Sequence, residues 1–131
     1  MQELYNLEID ENTFLTMIEM NPELKELTNK EILDKINLLE IINCNKRQIK
    51  NIISSNSLYL TRLNTEIKKL INYLVSIGFK NLNILFDANP YILNLDEFKV
   101  KNYIDKRIKS GEILSNIVDY LDSNPYLFLE M

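Results

Sequence analysis

The feature that most constrains this chain is a spacing. Asn21-Pro22, Asn56-Ser57, Asn89-Pro90 and Asn124-Pro125 recur with their asparagines 35, 33 and 35 residues apart. A period in this range marks stacked supersecondary units, none of which buries its apolar face alone. Counting back three, four and seven residues from each Asn gives Ile18, Met17 and Phe14, then Ile53, Ile52 and Ile49. The next two sets are Phe86, Leu85 and Leu82, and Leu121, Tyr120 and Ile117. All are apolar, and offsets of three, four and seven share one face of an α-helix. Each anchor therefore closes a first helix. Proline, with its φ preset and no N–H to lose, suits the start of the turn that follows, and the asparagine before it is expected to cap that turn. Asn21, Pro22, Asn56, Asn89, Pro90, Asn124 and Pro125 are thus the structural anchors of the repeat.

Eleven and fifteen residues beyond the first three anchors stand Ile32 and Ile36, Ile67 and Ile71, and Val100 and Ile104, the stripe of a second helix. Thr28-x-x-Glu31 and Asn94-x-x-Glu97 have capping-box spacing ahead of two second helices, and Asn45-x-x-Gln48 has it ahead of a first helix. Gly78 and Gly111 fall where a second helix gives way to the next unit. The expected fold is all-α, an α-solenoid of about three and a half helix-turn-helix repeats of roughly 34 residues. It forms a single domain over 1–131, with units 10–43, 44–77, 78–110 and a partial unit 111–131. Leu4, Tyr5, Leu7 and Ile9 supply material for a short N-terminal cap. The apolar tail Tyr126–Met131 is expected to tuck back onto the third unit, and self-association through it is the other outcome.

Composition excludes more than it assigns. Only two Gly and three Pro leave little material for hairpins, so strands are not expected. The single cysteine, Cys44, forms no internal disulfide, fits a reducing compartment and reads as a small apolar residue near a helix end. The N-terminal stretch does not resemble a secretory signal and the apolar runs are too short for a membrane span, so a cytoplasmic protein with no membrane partner is expected. The absence of His removes the commonest general base and zinc ligand. Two Gly thirty-three residues apart build neither a phosphate loop nor a dinucleotide fingerprint. The carboxylate pairs Asp119 with Asp122 and Asp96 with Glu97 read as solvated surface and as a helix's acidic first turn. No enzyme, cofactor or metal is expected.

The stretches Ile84-Leu85-Phe86-Asp87-Ala88-Asn89-Pro90-Tyr91-Ile92-Leu93 and Tyr120-Leu121-Asp122-Ser123-Asn124-Pro125-Tyr126-Leu127 resemble the repeat of the mitochondrial transcription termination factor (mTERF) family. The step Leu74-Val75-Ser76-Ile77-Gly78-Phe79 is similar to that family's unit junction. Two departures stand out: Ser57 replaces Pro in the second unit, and the units are fewer than family members carry. The resemblance implies a curved superhelix, and it implies nucleic-acid binding along a basic concave surface.

Charge leaves two functional readings open. The net charge is −4, but it is partitioned: residues 1–43 hold ten acids and three bases, residues 44–110 five acids and twelve bases, and residues 111–131 four acids and no base. Candidate phosphate or partner contacts in the basic middle are Lys46, Arg47, Lys50, Lys68, Lys69, Lys101, Lys106, Arg107 and Lys109. Lys68 and Lys101 each stand twelve residues beyond their anchors, and a basic stripe across repeats tracks a phosphate backbone. Helical repeats also serve as adaptors, and acidic ends beside a basic centre orient a protein partner. A non-catalytic module that binds a macromolecule is therefore expected, with a protein partner ahead of nucleic acid.

Overall fold

The computed structural model describes residues 2–131, and every regular element among them is helical. After a short α1 (Gln2–Asn6), the order α-helix, 3-10 helix, α-helix runs three times. The first run is α2 (Glu11–Met20), Pro22–Glu26 and α3 (Asn29–Ile41); the second is α4 (Lys46–Ser55), Ser57–Thr61 and α5 (Asn64–Ser76). The third is α6 (Leu82–Ala88), Pro90–Asn94 and α7 (Glu97–Lys109), and α8 (Leu114–Ser123) with a 3-10 helix at Pro125–Glu130 follows. What the sequence marks as a turn after each anchor is therefore a 3-10 helix in its own right.

Packing joins like to like. Helix α2 contacts α4 and α4 contacts α6, α5 contacts α7, and each 3-10 helix touches the next. Short α1 packs on α3. The expected stripes form much of the core: Met17, Ile49, Ile52, Ile53, Leu82, Leu85, Phe86, Ile117 and Leu121 are buried on the first helices, while Phe14 and Ile18 are only partly buried and the 3-10 helices add Leu24, Tyr59, Leu60, Ile92 and Leu93. Ile32, Ile36, Ile67, Ile71, Val100 and Ile104 are buried on the second. Each such side chain contributes about 1.5–3 kcal/mol of burial. Tyr120 breaks the pattern, 54% exposed, because α8 buries Val118 beside Ile117 and Leu121 and so rotates its stripe slightly away from Tyr120.

Four of the helix ends follow one design. Glu8, Asn43, Gly78 and Gly111 all have positive φ (63°, 70°, 114° and 99°). In each case the next residue donates its N–H to a carbonyl five residues back: Ile9 to Leu4, Cys44 to Leu39, Phe79 to Leu74 and Glu112 to Arg107. This is the Schellman closure of a helix C-terminus, for which Gly is the residue of least strain. The N-terminal helix α1 thus ends as α3, α5 and α7 end.

At the helix starts, Thr28 with Glu31 and Asn45 with Gln48 form the expected capping boxes. Asn94 does not. Asp96 caps α7 by accepting the Phe98 N–H at 2.9 Å, because the Asn94 amide is drawn away to Asn56. The apolar tail is split: Phe128 is fully buried, its ring centroid 6.0 Å from that of Phe79, while Tyr126 and Leu129 face water.

Candidate functional site

Three of the four anchor asparagines tie one 3-10 helix to the next. Asn21, Asn56 and Asn124 make no capping hydrogen bond to the 3-10 helix that follows, and only Asn89 does, accepting the Tyr91 N–H at 3.3 Å. Three of the four side chains reach across a seam instead. Asn21 Nδ2 donates to the Ser57 carbonyl at 3.0 Å, Asn56 Nδ2 to the Pro90 carbonyl at 3.0 Å, and Asn89 Nδ2 to the Pro125 carbonyl at 3.1 Å. Each donates to the carbonyl of the first residue of the neighbouring 3-10 helix. Asn124 turns back to its own Tyr120 carbonyl at 2.9 Å. Buried amides are costly unless paired, so these bonds fix the register of unit on unit.

Ser57 now has a physical reason. Its hydroxyl donates to the buried Met17 carbonyl in the preceding unit at 2.8 Å, a bond that proline has no group to make. A second tie crosses the same rows further along: Asp87 accepts from Arg47 Nη2 at 2.9 Å and from Asn51 Nδ2 at 2.8 Å, linking α4 to α6.

This arrangement places a column of apolar residues in water. Leu58, Tyr91 and Tyr126 each stand two residues past their anchors, on consecutive 3-10 helices that touch one another. They are 42%, 42% and 69% exposed. Glu23 occupies the same position in the first unit. The sequence showed these as apolar residues following a turn. Their alignment became visible only once the turn was a stacked 3-10 helix.

The basic residues separate onto two rows. Lys46, Arg47 and Lys50 lie on α4, a first helix; Lys68 and Lys69 lie on α5, and Lys101, Lys106, Arg107 and Lys109 on α7, both second helices. Several are already engaged. Lys46 pairs with Glu8 at 3.6 Å, Arg47 with Asp87 at 2.9 Å, Lys69 with Glu66 at 3.6 Å and Arg107 with Glu112 at 3.2 Å. The Arg107 guanidinium also lies 4.7 Å from the Tyr103 ring centroid. Among the described residues, Lys50, Lys68, Lys101, Lys106 and Lys109 have no carboxylate within ion-pair distance. Lys68 and Lys101 stand at equivalent positions of α5 and α7, which contact one another.

Cys44 is buried, and burial pushes its thiol up to about 11, out of the range of a reactive thiolate. Among the described residues no group of His, Cys, Asp or Glu gathers in a way that would hold a metal, and no helix is long and apolar enough to cross a membrane. The chain matches no family model, and no curated protein or solved structure is similar enough to count as a relative.

Proposed function

We propose that the chain is an α-solenoid of about three and a half units, each of roughly 34 residues, that works as a non-catalytic, cytoplasmic protein-binding module. One observation carries this reading: Leu58, Tyr91 and Tyr126 repeat at one register position along contiguous 3-10 helices and stay exposed. Aligned apolar and aromatic side chains on a rigid row are what a protein partner covers, since tyrosine combines large buriable area with low side-chain entropy. The three 3-10 helices that carry the column, Ser57–Thr61, Pro90–Asn94 and Pro125–Glu130, contain no Lys or Arg, whereas nucleic-acid stacking sets cations beside its aromatics.

The second reading is nucleic-acid binding through the basic units, as the mTERF resemblance implies. It rests on Lys68 and Lys101, equivalent residues on contacting helices. The net charge of −4 and the four bases already paired with carboxylates weigh against it. Fluorescence anisotropy of single- and double-stranded DNA and RNA at low and physiological salt separates the two. The protein-binding reading expects no titration at physiological salt. Micromolar binding that weakens steeply with salt, and is lost when Lys68, Lys69 and Lys101 become Glu, would put nucleic acid first.

A further inference from the structure

The internal repeat is its own control, and it singles out one cleft. Fourteen residues past the anchors stand Lys35, Leu70 and Tyr103; six residues past them stand Leu27, Arg62 and Leu95. Leu70 is fully buried, and Tyr103, Leu27 and Leu95 pack against the core. Lys35 and Arg62 are therefore cations in core register. Both departures line the same cleft of about 480 Å³ between the first two units. That volume falls within the roughly 300–1,000 Å³ typical of small-molecule sites.

The cleft's inner groups lack partners. Lys35 is only 6% exposed, yet among the described residues no hydrogen bond or ion pair reaches its ammonium. Among the described residues only Asn64 Oδ1 and Tyr103 Oη are shut off from both water and partners, so Lys35 Nζ keeps an opening, and the opening its side chain lines is this cleft. Arg62 gives one Nη1 bond to the Leu93 carbonyl and has further donors to spare. Asn64 lines the cleft beside them, with its Oδ1 turned away from water. The fully buried Tyr59 donates to the Lys35 carbonyl at 2.6 Å and holds that part of α3 in place. It too is polar where the other units carry Leu24 and Ile92.

The rim has the opposite sign. Glu23 and Glu26 line it and are exposed, Asp34 pairs with Lys30 at 3.5 Å, and Glu31 is held by its capping box with Thr28. With Asp34 neutralised by Lys30, three carboxylates stand against two cations, which favours a ligand of net positive charge that still carries an anionic group for the interior.

We infer that this cleft binds a basic α-amino acid. Its α-carboxylate is clasped by Lys35 and Arg62, and its two cations face the carboxylate rim at Glu23 and Glu26. The clasp is a pair of charge-assisted hydrogen bonds in a partly desolvated site, where such bonds are strongest. The site shares no residue with the Leu58, Tyr91 and Tyr126 column, so either assignment stands or falls without the other.

The test is an amide chemical-shift titration of the intact chain with L-lysine and L-arginine, against cadaverine, which keeps the cations of lysine but lacks the carboxylate. Shifts confined to the cleft, with cadaverine weaker by about tenfold or more, are expected. Lys35→Leu and Arg62→Leu should each abolish the shifts while leaving the fold intact, since leucine already occupies these positions in other units. No shifts at millimolar amino acid would overturn the assignment. So would cadaverine binding as well as L-lysine, or undiminished binding by Lys35→Leu, because either result reduces the cleft to a nonspecific acidic surface.

Discussion

Asn56 and Asn94 exchange two side-chain hydrogen bonds across the seam between the second and third units: Asn56 Nδ2 donates to Asn94 Oδ1 at 2.9 Å, and Asn94 Nδ2 donates to Asn56 Oδ1 at 3.0 Å. Asn56 is fully buried and also holds the Pro90 carbonyl. Removing it strands several polar groups at once. Asn56→Ala should destabilise the fold by about 2–3 kcal/mol, since an orphaned buried polar group costs more than its bond gained. Asn124→Ala, at the equivalent but exposed position, should cost under about 1 kcal/mol. Urea unfolding of the two variants checks this; equal losses would show that the seam bonds do not set the stability of the stack.

The four Schellman turns make a second comparison within one chain. Glu8 sits at φ 63°, where a Cβ is strained, while Gly78 and Gly111 occupy the same site freely. Glu8→Gly should stabilise by about 0.5–1 kcal/mol despite losing the exposed 3.6 Å contact with Lys46, which contributes little. Gly78→Ala should destabilise by about 1–2 kcal/mol through backbone strain alone, since a Cβ there meets nothing within 4 Å. Thermal unfolding distinguishes the opposite signs.

Lys35→Leu should raise stability by about 1–2 kcal/mol, as expected when a buried unpaired cation is replaced by the residue the repeat uses elsewhere. A lower melting temperature would mean that Lys35 is satisfied in the free protein, and denaturant titration of wild type and variant reads this directly.

Alkaline stability follows from three buried groups. Burial pushes the Cys44 thiol up from 9.0 to about 11 and holds the Tyr59 hydroxyl well above its usual range. Both folded forms keep a proton that the unfolded chain releases: the Cys44 contribution is whole below pH 9.0 and is lost as pH rises through about 11, and the Tyr59 contribution begins to fall only above 10.0. Lys35 works the other way. Burial lowers its pKa below 10.5, the unfolded chain binds that proton more tightly, and stability rises as pH climbs toward 10.5. Melting temperature should fall above pH 9.0, less steeply in Cys44→Ala and more steeply in Lys35→Leu. In the native protein Cys44 should also react with thiol reagents far more slowly than in urea.

How much of this was legible in the sequence depended on whether the signal was local. The apolar stripes of both helices, two capping boxes and two Gly turns all lie within a few residues of their partners, and periodicity exposed them. The anchor asparagines were found by spacing but read as local caps, because their true partners, Ser57, Pro90 and Pro125, lie 34–36 residues away. Glu8 and Asn43 escaped notice as turn residues because a helix end does not demand glycine, only tolerates it best. The Leu58, Tyr91 and Tyr126 column needed the 3-10 geometry to come into line. Lys35 and Arg62 were within reach: aligning every position of the repeat, rather than its apolar ones alone, marks both as cations where the other units have apolar residues.

Site-specific photo-crosslinking in the cell of origin tests the central claim most directly, with the crosslinking side chain placed at position 91 or 126, and at 101 or 106 for comparison. The protein-binding account predicts nuclease-resistant crosslinks to another protein from 91 and 126, lost when Leu58→Asp is added, and few from 101 and 106. Crosslinks confined to 101 and 106 and removed by nuclease would contradict it, and would hand the binding face to the lysines of α5 and α7.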